Sequence, residues 1–207
     1  MQNDICMKSR KFDSMKRIGL TGGIGSGKSY VAKVIEAMGY PVYYSDSRSK
    51  ELSNEDPHIR EQLISEFGED VYSNGVLNKQ FLAKKIYSND SARSTVNAII
   101  HPIVRDDFSS WADAHSSNAL IFNEAAILFE MGTYTQFDST ILVYAPEHIK
   151  IERIVQRDHI SIDEIRQKMK TQWNDADKLK LTPHHILNDG NAPLLNQIEH
   201  VIEKISQ

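Results

Sequence analysis

The stretch Arg17-Ile18-Gly19-Leu20-Thr21-Gly22-Gly23-Ile24-Gly25-Ser26-Gly27-Lys28-Ser29-Tyr30 limits the possible folds more than any other part of the chain. A short apolar run leads into the glycines, and Val31, Val34, Ile35 and Met38 follow at i, i+3, i+4 and i+7. That order reads as strand, loop and helix. Gly22 to Ser29 fits G-x-x-x-x-G-K-[ST], the pattern of a phosphate-binding loop. Glycines let successive backbone N–H groups curl around phosphate oxygens, and the helix N-terminus adds a partial positive charge. Lys28 is then placed to reach the outer phosphates, and Ser29 to offer its hydroxyl to a magnesium ion. A glycine-rich turn that only caps a helix is the alternative, and the full set of fixed positions in the right context argues against it.

The chain has 207 residues, enough for one domain with a sizeable insert. A net charge of −4 with both signs plentiful gives no general reason to bind nucleic acid or an anionic membrane. Cys6 is the single cysteine, which excludes an internal disulfide framework and a multi-cysteine zinc site. No apolar run approaches the roughly 18 residues that a membrane helix needs. These features predict a soluble, cytoplasmic protein. Residues 1–15 lack periodicity and read as an N-terminal extension, either disordered or reflecting an upstream start, with residues 16–207 forming the domain.

Gly39 stands where a left-handed helix cap belongs, and Tyr40 to Tyr44 reads as a second strand ending at Ser45-Asp46. In a doubly wound sheet, residues just past strand ends face the ligand crevice. Asp46 is therefore either a site carboxylate or the N-cap of the next segment. Residues 47–115 read as helical, with start signals at Asp56-Pro57, Asn78, Asp90 and His101-Pro102. Ile59, Leu63, Ile64 and Phe67 form one apolar stripe, and Ile103, Val104, Phe108, Trp111 and Ala112 another; both are expected to be core. Nearly seventy residues without a convincing strand, between strands two and three, look like an inserted substrate-binding region.

Ala119 to Asn123 is a continuous apolar run of the kind buried on both sheet faces, and it ends in Glu124. Glu124 either holds magnesium, as a hard oxygen ligand beside the loop, or caps the next turn. Strand four is Thr140 to Tyr144, and Pro146 opens a helix on which Arg153 and Arg157 share a face. Those two guanidinium groups suit a polyphosphate; equally, they could pair with Glu152, Asp158 or Asp163. Ser161 to Glu164 is a capping box. Residues 153–180 are polar enough for a mobile lid, a composition that an exposed helical hairpin would share. A short strand at His185 to Asn188, the Asp189-Gly190 turn and an apolar helix from Leu194 complete the chain. Five strands alternating with helices predict an α/β fold, a three-layer parallel five-stranded sheet of the P-loop kinase type.

An ordered set of features is shared with one family: the Thr21 to Ser29 loop, an Asp past strand two, Ile100-His101-Pro102, Ile127-Leu128-Phe129-Glu130, Arg153 with Arg157-Asp158, Gln172, and Asn188-Asp189-Gly190. In these the chain resembles the dephospho-CoA kinases from Lys16 to Gln207. The resemblance implies ATP-dependent phosphorylation of the ribose 3′-hydroxyl of dephospho-CoA, with Mg2+ as cofactor. It implies that Gly23, Ile24, Gly25, Ser26, Gly27, Lys28, Ser29 and Tyr30 hold the triphosphate, with Ser29 and Glu124 on the metal. Asp46 matches the residue that accepts the hydroxyl proton, and Arg153 the lid arginine; Lys28, Asp46 and Arg153 form the implied catalytic set. Arg157 joins the nucleotide site, Asn188 and Gly190 lie against adenine, and His101, Leu128 and Glu130 join Asp46 on the acceptor.

The chain departs from the family pattern in a few places. Tyr44 stands where many members carry the first Asp of Asp-x-Asp, Ala126 replaces a proline, Asn174 an arginine, and Pro183-His184 an Ala-Asp. Two rival activities fit the loop alone: another small-molecule kinase, or a nucleotide-dependent switch. The switch lacks support, because the chain has neither Asn-Lys-x-Asp nor Asp-x-x-Gly after strand three.

Overall fold

A computed structural model describes residues 15–87 and 89–207. The N-terminal extension expected from the sequence lies outside the described residues except for Met15. The chain begins with β1 (Lys16–Thr21), the glycine loop, α1 (Lys28–Ala37) and β2 (Val42–Tyr44). The insert comprises α2 (Ser45–Glu55), α3 (Pro57–Phe67), β3 (Tyr72–Ser73), β4 (Val76–Leu77), α4 (Lys79–Ile86) and α5 (Asp90–Ala114). The chain then returns through β5 (Leu120–Glu124), β6 (Ser139–Tyr144), α6 (Glu147–Asp158), α7 (Ile162–Lys170), α8 (Asp175–Leu179), β7 (His184–Leu187) and α9 (Leu194–Ser206).

The main sheet is parallel, in the order β2-β5-β1-β6-β7. β1 sits in the middle, so the loop that follows it emerges between β5 and β6 at the C-terminal edge. Alternation along the strands divides the side chains between two cores. Ile18, Leu20, Leu120, Phe122, Ile141 and Val143 pack under α1 and α9, whereas Tyr43 and Ile121 pack on Phe108 and Ala112 of α5. The expected three layers are present. No helix among the described residues is long and apolar enough to cross a membrane.

The insert has a core of its own, built from Leu52, Ile59, Leu63, Val71, Leu82, Val96, Ile99 and Ile100. Asp56 and Asn78 cap α3 and α4 through side-chain oxygens, as the sequence predicts. Two expectations for the insert fail. It contains a small antiparallel hairpin, β3 with β4, turning through Asn74 and Gly75, both at positive φ. Asn-Gly is the pair that such a turn favours. In addition, His101-Pro102 does not begin a helix: Pro102 lies inside the 25-residue α5. A proline has no N–H to give, so the Ala98 carbonyl four residues earlier loses its donor at position 102.

Phe122 is fully buried, and its ring meets that of Tyr40 edge-on at 5.7 Å between centroids. Phe122→Ala is expected to cost about 3–5 kcal/mol. In urea unfolding this appears as a lower midpoint with an unchanged slope.

Candidate active site

The register of three strands assembles the site. Leu20 of β1 and Tyr44 of β2 both stand opposite Glu124 of β5, so the strands end together beside the glycine loop. Within the loop the Ser26 N–H donates to the Gly23 carbonyl at 3.0 Å. Gly27 has φ of +84°, and a Cβ there would strike the Asn188 amide. Gly22 has the backbone of Val143 against it in the same way, so both positions require glycine. Among the described residues, the amides of Gly25, Gly27, Lys28 and Ser29 have no acceptor. These are the donors that a helix N-terminus and its approach loop offer to an anion. The Ser26 side chain points away into the protein, and its hydroxyl is buried without a partner.

Glu124 is 4% exposed at its side chain, and two groups converge on it. The Lys28 ammonium donates to Glu124 Oε1, and the Ser29 hydroxyl donates to the same oxygen at 2.7 Å. Asp46 Oδ2 lies 3.6 Å from Lys28 Nζ. Asp46 falls in the first turn of α2, whose N-cap position is held by Tyr44. The Tyr44 hydroxyl turns away to donate to Glu36 at 3.1 Å, leaving Asp46 as the carboxylate that this segment sends into the site.

Beyond Asp46 a cleft of about 690 Å³ opens between the insert and the sheet. Its walls include Asp46, His101, Arg105, Phe108, Asn123 and Leu128. The Ser45 hydroxyl donates to Asn123 Oδ1 at 2.8 Å and ties the start of α2 to β5. Ala98 and Pro102 also line the cleft. Burial holds the His101 imidazole below its ordinary pKa, and the Arg105 charge adds to the effect.

Arg153 reaches the loop from α6. It donates to the Gly25 and Ser26 carbonyls, both at 3.4 Å, and to Asn188 Oδ1 at 3.3 Å. Asn188 donates in turn to the Ser26 carbonyl at 2.9 Å, so its side chain braces the back of the loop. Gly190 sits in an exposed turn with φ of +84°. Three residues expected in the site are engaged elsewhere. Arg157 forks onto Asp158, its neighbour in sequence, with contacts of 2.7 and 2.9 Å. The Tyr30 side chain is 63% exposed, and its N–H is taken by the Gly27 carbonyl. Glu130 does not line this cleft; it accepts the Trp173 N–H at 2.9 Å and lies 2.7 Å from the Lys178 ammonium.

Sequence reasoning missed Arg105, Asn123 and the buried Lys150 and Lys178. Asn123 carried a signal in its place beside Glu124 at a strand end. The two lysines carried none, because isolated lysines in polar segments usually lie in solvent. Asn174, one of the departures, caps α8 by accepting the Asp177 N–H at 2.9 Å.

A parallel sheet in this order, with the phosphate loop after its central strand and an open cleft beside it, defines a P-loop kinase. Solved structures agree. A Thermus thermophilus protein superposes with a TM-score of 0.79 at 27% identity, covering 92% of this chain and 96% of that one. A dephospho-CoA kinase from Campylobacter jejuni superposes at 0.67 with 23% identity over 92% and 96%, which speaks for the fold. A family model described as dephospho-CoA kinase matches residues 16–193, and the chain belongs to that family. A dephospho-CoA kinase of Bacteroides fragilis strain YCH46 is 42% identical over 191 residues, 92% of this chain and 93% of the relative.

The depressed His101 pKa has a definite sign. The unfolded chain, with imidazole near 6.5, binds the proton more readily than the folded one, so stability falls as pH drops from 6.5 through the lower folded value. The thermal midpoint of the protein is expected to fall further between pH 7.5 and pH 5 than that of His101→Gln. Equal falls would show that His101 does not contribute.

Proposed function

We propose that this chain transfers the γ-phosphoryl group of ATP to the ribose 3′-hydroxyl of dephospho-CoA, giving coenzyme A. Membership of the dephospho-CoA kinase family supports the activity. The observation that carries the residue assignment is the position of Asp46, 3.6 Å from the Lys28 ammonium and on the wall of the acceptor cleft. One carboxylate thus stands at the junction of a phosphate cradle and a cavity large enough for an organic acceptor.

The unpartnered amides of Gly25, Gly27, Lys28 and Ser29 bind phosphate oxygens, and Lys28 leaves Glu124 for the β- and γ-phosphates. Arg153, already at the rim of the loop, offsets charge on the transferring group. Asp46 orients the acceptor hydroxyl and takes its proton as the oxygen–phosphorus bond forms and the bond to ADP breaks. Phosphoryl transfer has a loose transition state, so positioning and charge stabilisation supply most of the acceleration.

The donor set fits Mg2+. Glu124 and Ser29 present hard oxygens 2.7 Å apart at the foot of the loop. Magnesium takes one or two protein ligands and completes its shell with water and phosphate. When bound, it neutralises charge on the β- and γ-oxygens. His101 and Leu128 shape the acceptor side, and Gly190 is placed for the adenine side. The insert at 47–115 is the acceptor-binding part, and residues 153–180 the lid. We assign the protein to the cytoplasm, with the single cysteine and the nucleotide substrate as support, and with no nucleic acid partner.

An ATP-consumption assay with dephospho-CoA tests the activity, with Lys28→Ala as the blank; no signal above that blank refutes it. Arg153→Ala is expected to lower kcat on the order of a hundredfold, as when a preorganised stabilising group is lost. Asp46→Asn is expected to bind ATP normally and fail in transfer. If ATP affinity collapses while turnover survives, Asp46 serves the metal or the fold.

A further inference from the structure

Residues 172–178, between α7 and the end of α8, are tied to the rest of the protein at four points. Gln172 Oε1 accepts the Ile24 N–H of the phosphate loop at 2.8 Å. The Trp173 N–H and the Lys178 ammonium both meet Glu130 Oε1, at 2.9 and 2.7 Å. Asp175 Oδ2 lies 2.7 Å from Lys150 Nζ. Two of these ties are ion pairs shielded from water. Lys178 has no exposed surface, and the Lys150 and Asp175 side chains are 11% and 17% exposed. This strap therefore rests on the head of the loop. A Cβ on Gly23 would lie 3.4 Å from Asp175 Oδ1 and 3.7 Å from Gln172 Oε1.

Not every loop amide is available to a phosphate. Ser26 donates within the loop and Ile24 donates to Gln172, while Gly25, Gly27, Lys28 and Ser29 are without acceptors among the described residues. The free set is a run at the helix N-terminus, sufficient to cradle an anion. Gln172 occupies the amide of Ile24, which lies outside this run. It is also neutral. With Oε1 on Ile24, the attached Nε2 sits at the loop as a donor without a partner among the described residues, where a carboxylate would repel polyphosphate.

We propose that Gln172 is a positioning residue of the nucleotide site. It stays on Ile24 when ATP binds and holds the head of the loop in its receptive shape, and Glu130 acts through it by fixing the strap. The proposal rests on the reading of the loop as the ATP site. It gives Glu130 a task on the nucleotide side in place of an acceptor contact. A loop held in advance does not have to be ordered by the ligand, so the gain appears as affinity.

Calorimetric titration with ATP and Mg2+, with no acceptor present, tests this on Gln172→Met, which keeps the bulk, and Gln172→Ala. Loss of one hydrogen bond predicts roughly five- to tenfold weaker ATP binding in both, with the KM for dephospho-CoA unchanged. Unchanged ATP affinity overturns the proposal. Tighter binding also overturns it, by showing that Gln172 competes with ATP and is displaced.

The link to Glu130 is tested in Glu130→Gln/Lys178→Met, which removes the buried pair without leaving an unpaired charge. Adding Gln172→Met to that double variant is expected to weaken ATP binding less than Gln172→Met does alone. Full multiplication of the two effects overturns the link. Because the titrations use no acceptor, an error about dephospho-CoA leaves the ATP-binding outcomes intact. Failure of the unaltered protein to bind ATP would instead refute the reading of the loop.

Discussion

Glu124 is a carboxylate held almost out of water, and it is tolerable there only because Lys28 and Ser29 both reach it. The rest of the site follows from this contact. It requires β5 beside β1, so that the carboxylate ends level with the loop, and it requires α1 to start at Lys28 so that its first turn points at β5. Without a ligand, Lys28 and Glu124 neutralise each other. The cradle can therefore exist folded before any phosphate arrives.

The second organising fact is the separation of cores. The insert packs around its own apolar cluster, while the sheet packs between α1 with α9 on one face and α5 on the other. α5 belongs to both, with Val96, Ile99 and Ile100 in the insert and Phe108 and Ala112 on the sheet. The cleft beside Asp46 lies along this helix where it passes from one core to the other.

Most of the fold was legible because its signals are local. The loop pattern, the alternation of apolar strands and amphipathic helices, and the caps at Asp56, Asn78 and Ser161 each sit within a few residues. Strand limits differed by one or two residues, as at β2, which begins at Val42 instead of Tyr40. His101-Pro102 misled because proline favours a helix start, while the packing of α5 on both cores outweighs one missing bond. The Asn74-Gly75 pair is a local turn signal, but the strands it joins are two residues long, too short for alternation to show. Lys28 and Ser29 meet Glu124, Asp46 lies beside Lys28, and Arg153 reaches the loop carbonyls. Arg157 pairs with Asp158 and Glu130 with Lys178. Pairing across the fold is a three-dimensional property, and spacing in the chain does not encode it.

Pro102 carries a consequence for the cleft beside Asp46. The interior of an α-helix normally shows a ligand side chains alone, since its N–H and C=O groups are all engaged with one another. The imino acid at 102 leaves the Ala98 oxygen without its partner in that ladder, in a turn of α5 whose residues Ala98 and Pro102 both line the cleft. Replacing Pro102 by a residue with an N–H would restore that rung, so the hydrogen-bonding pattern of this stretch of α5 depends on the imino acid.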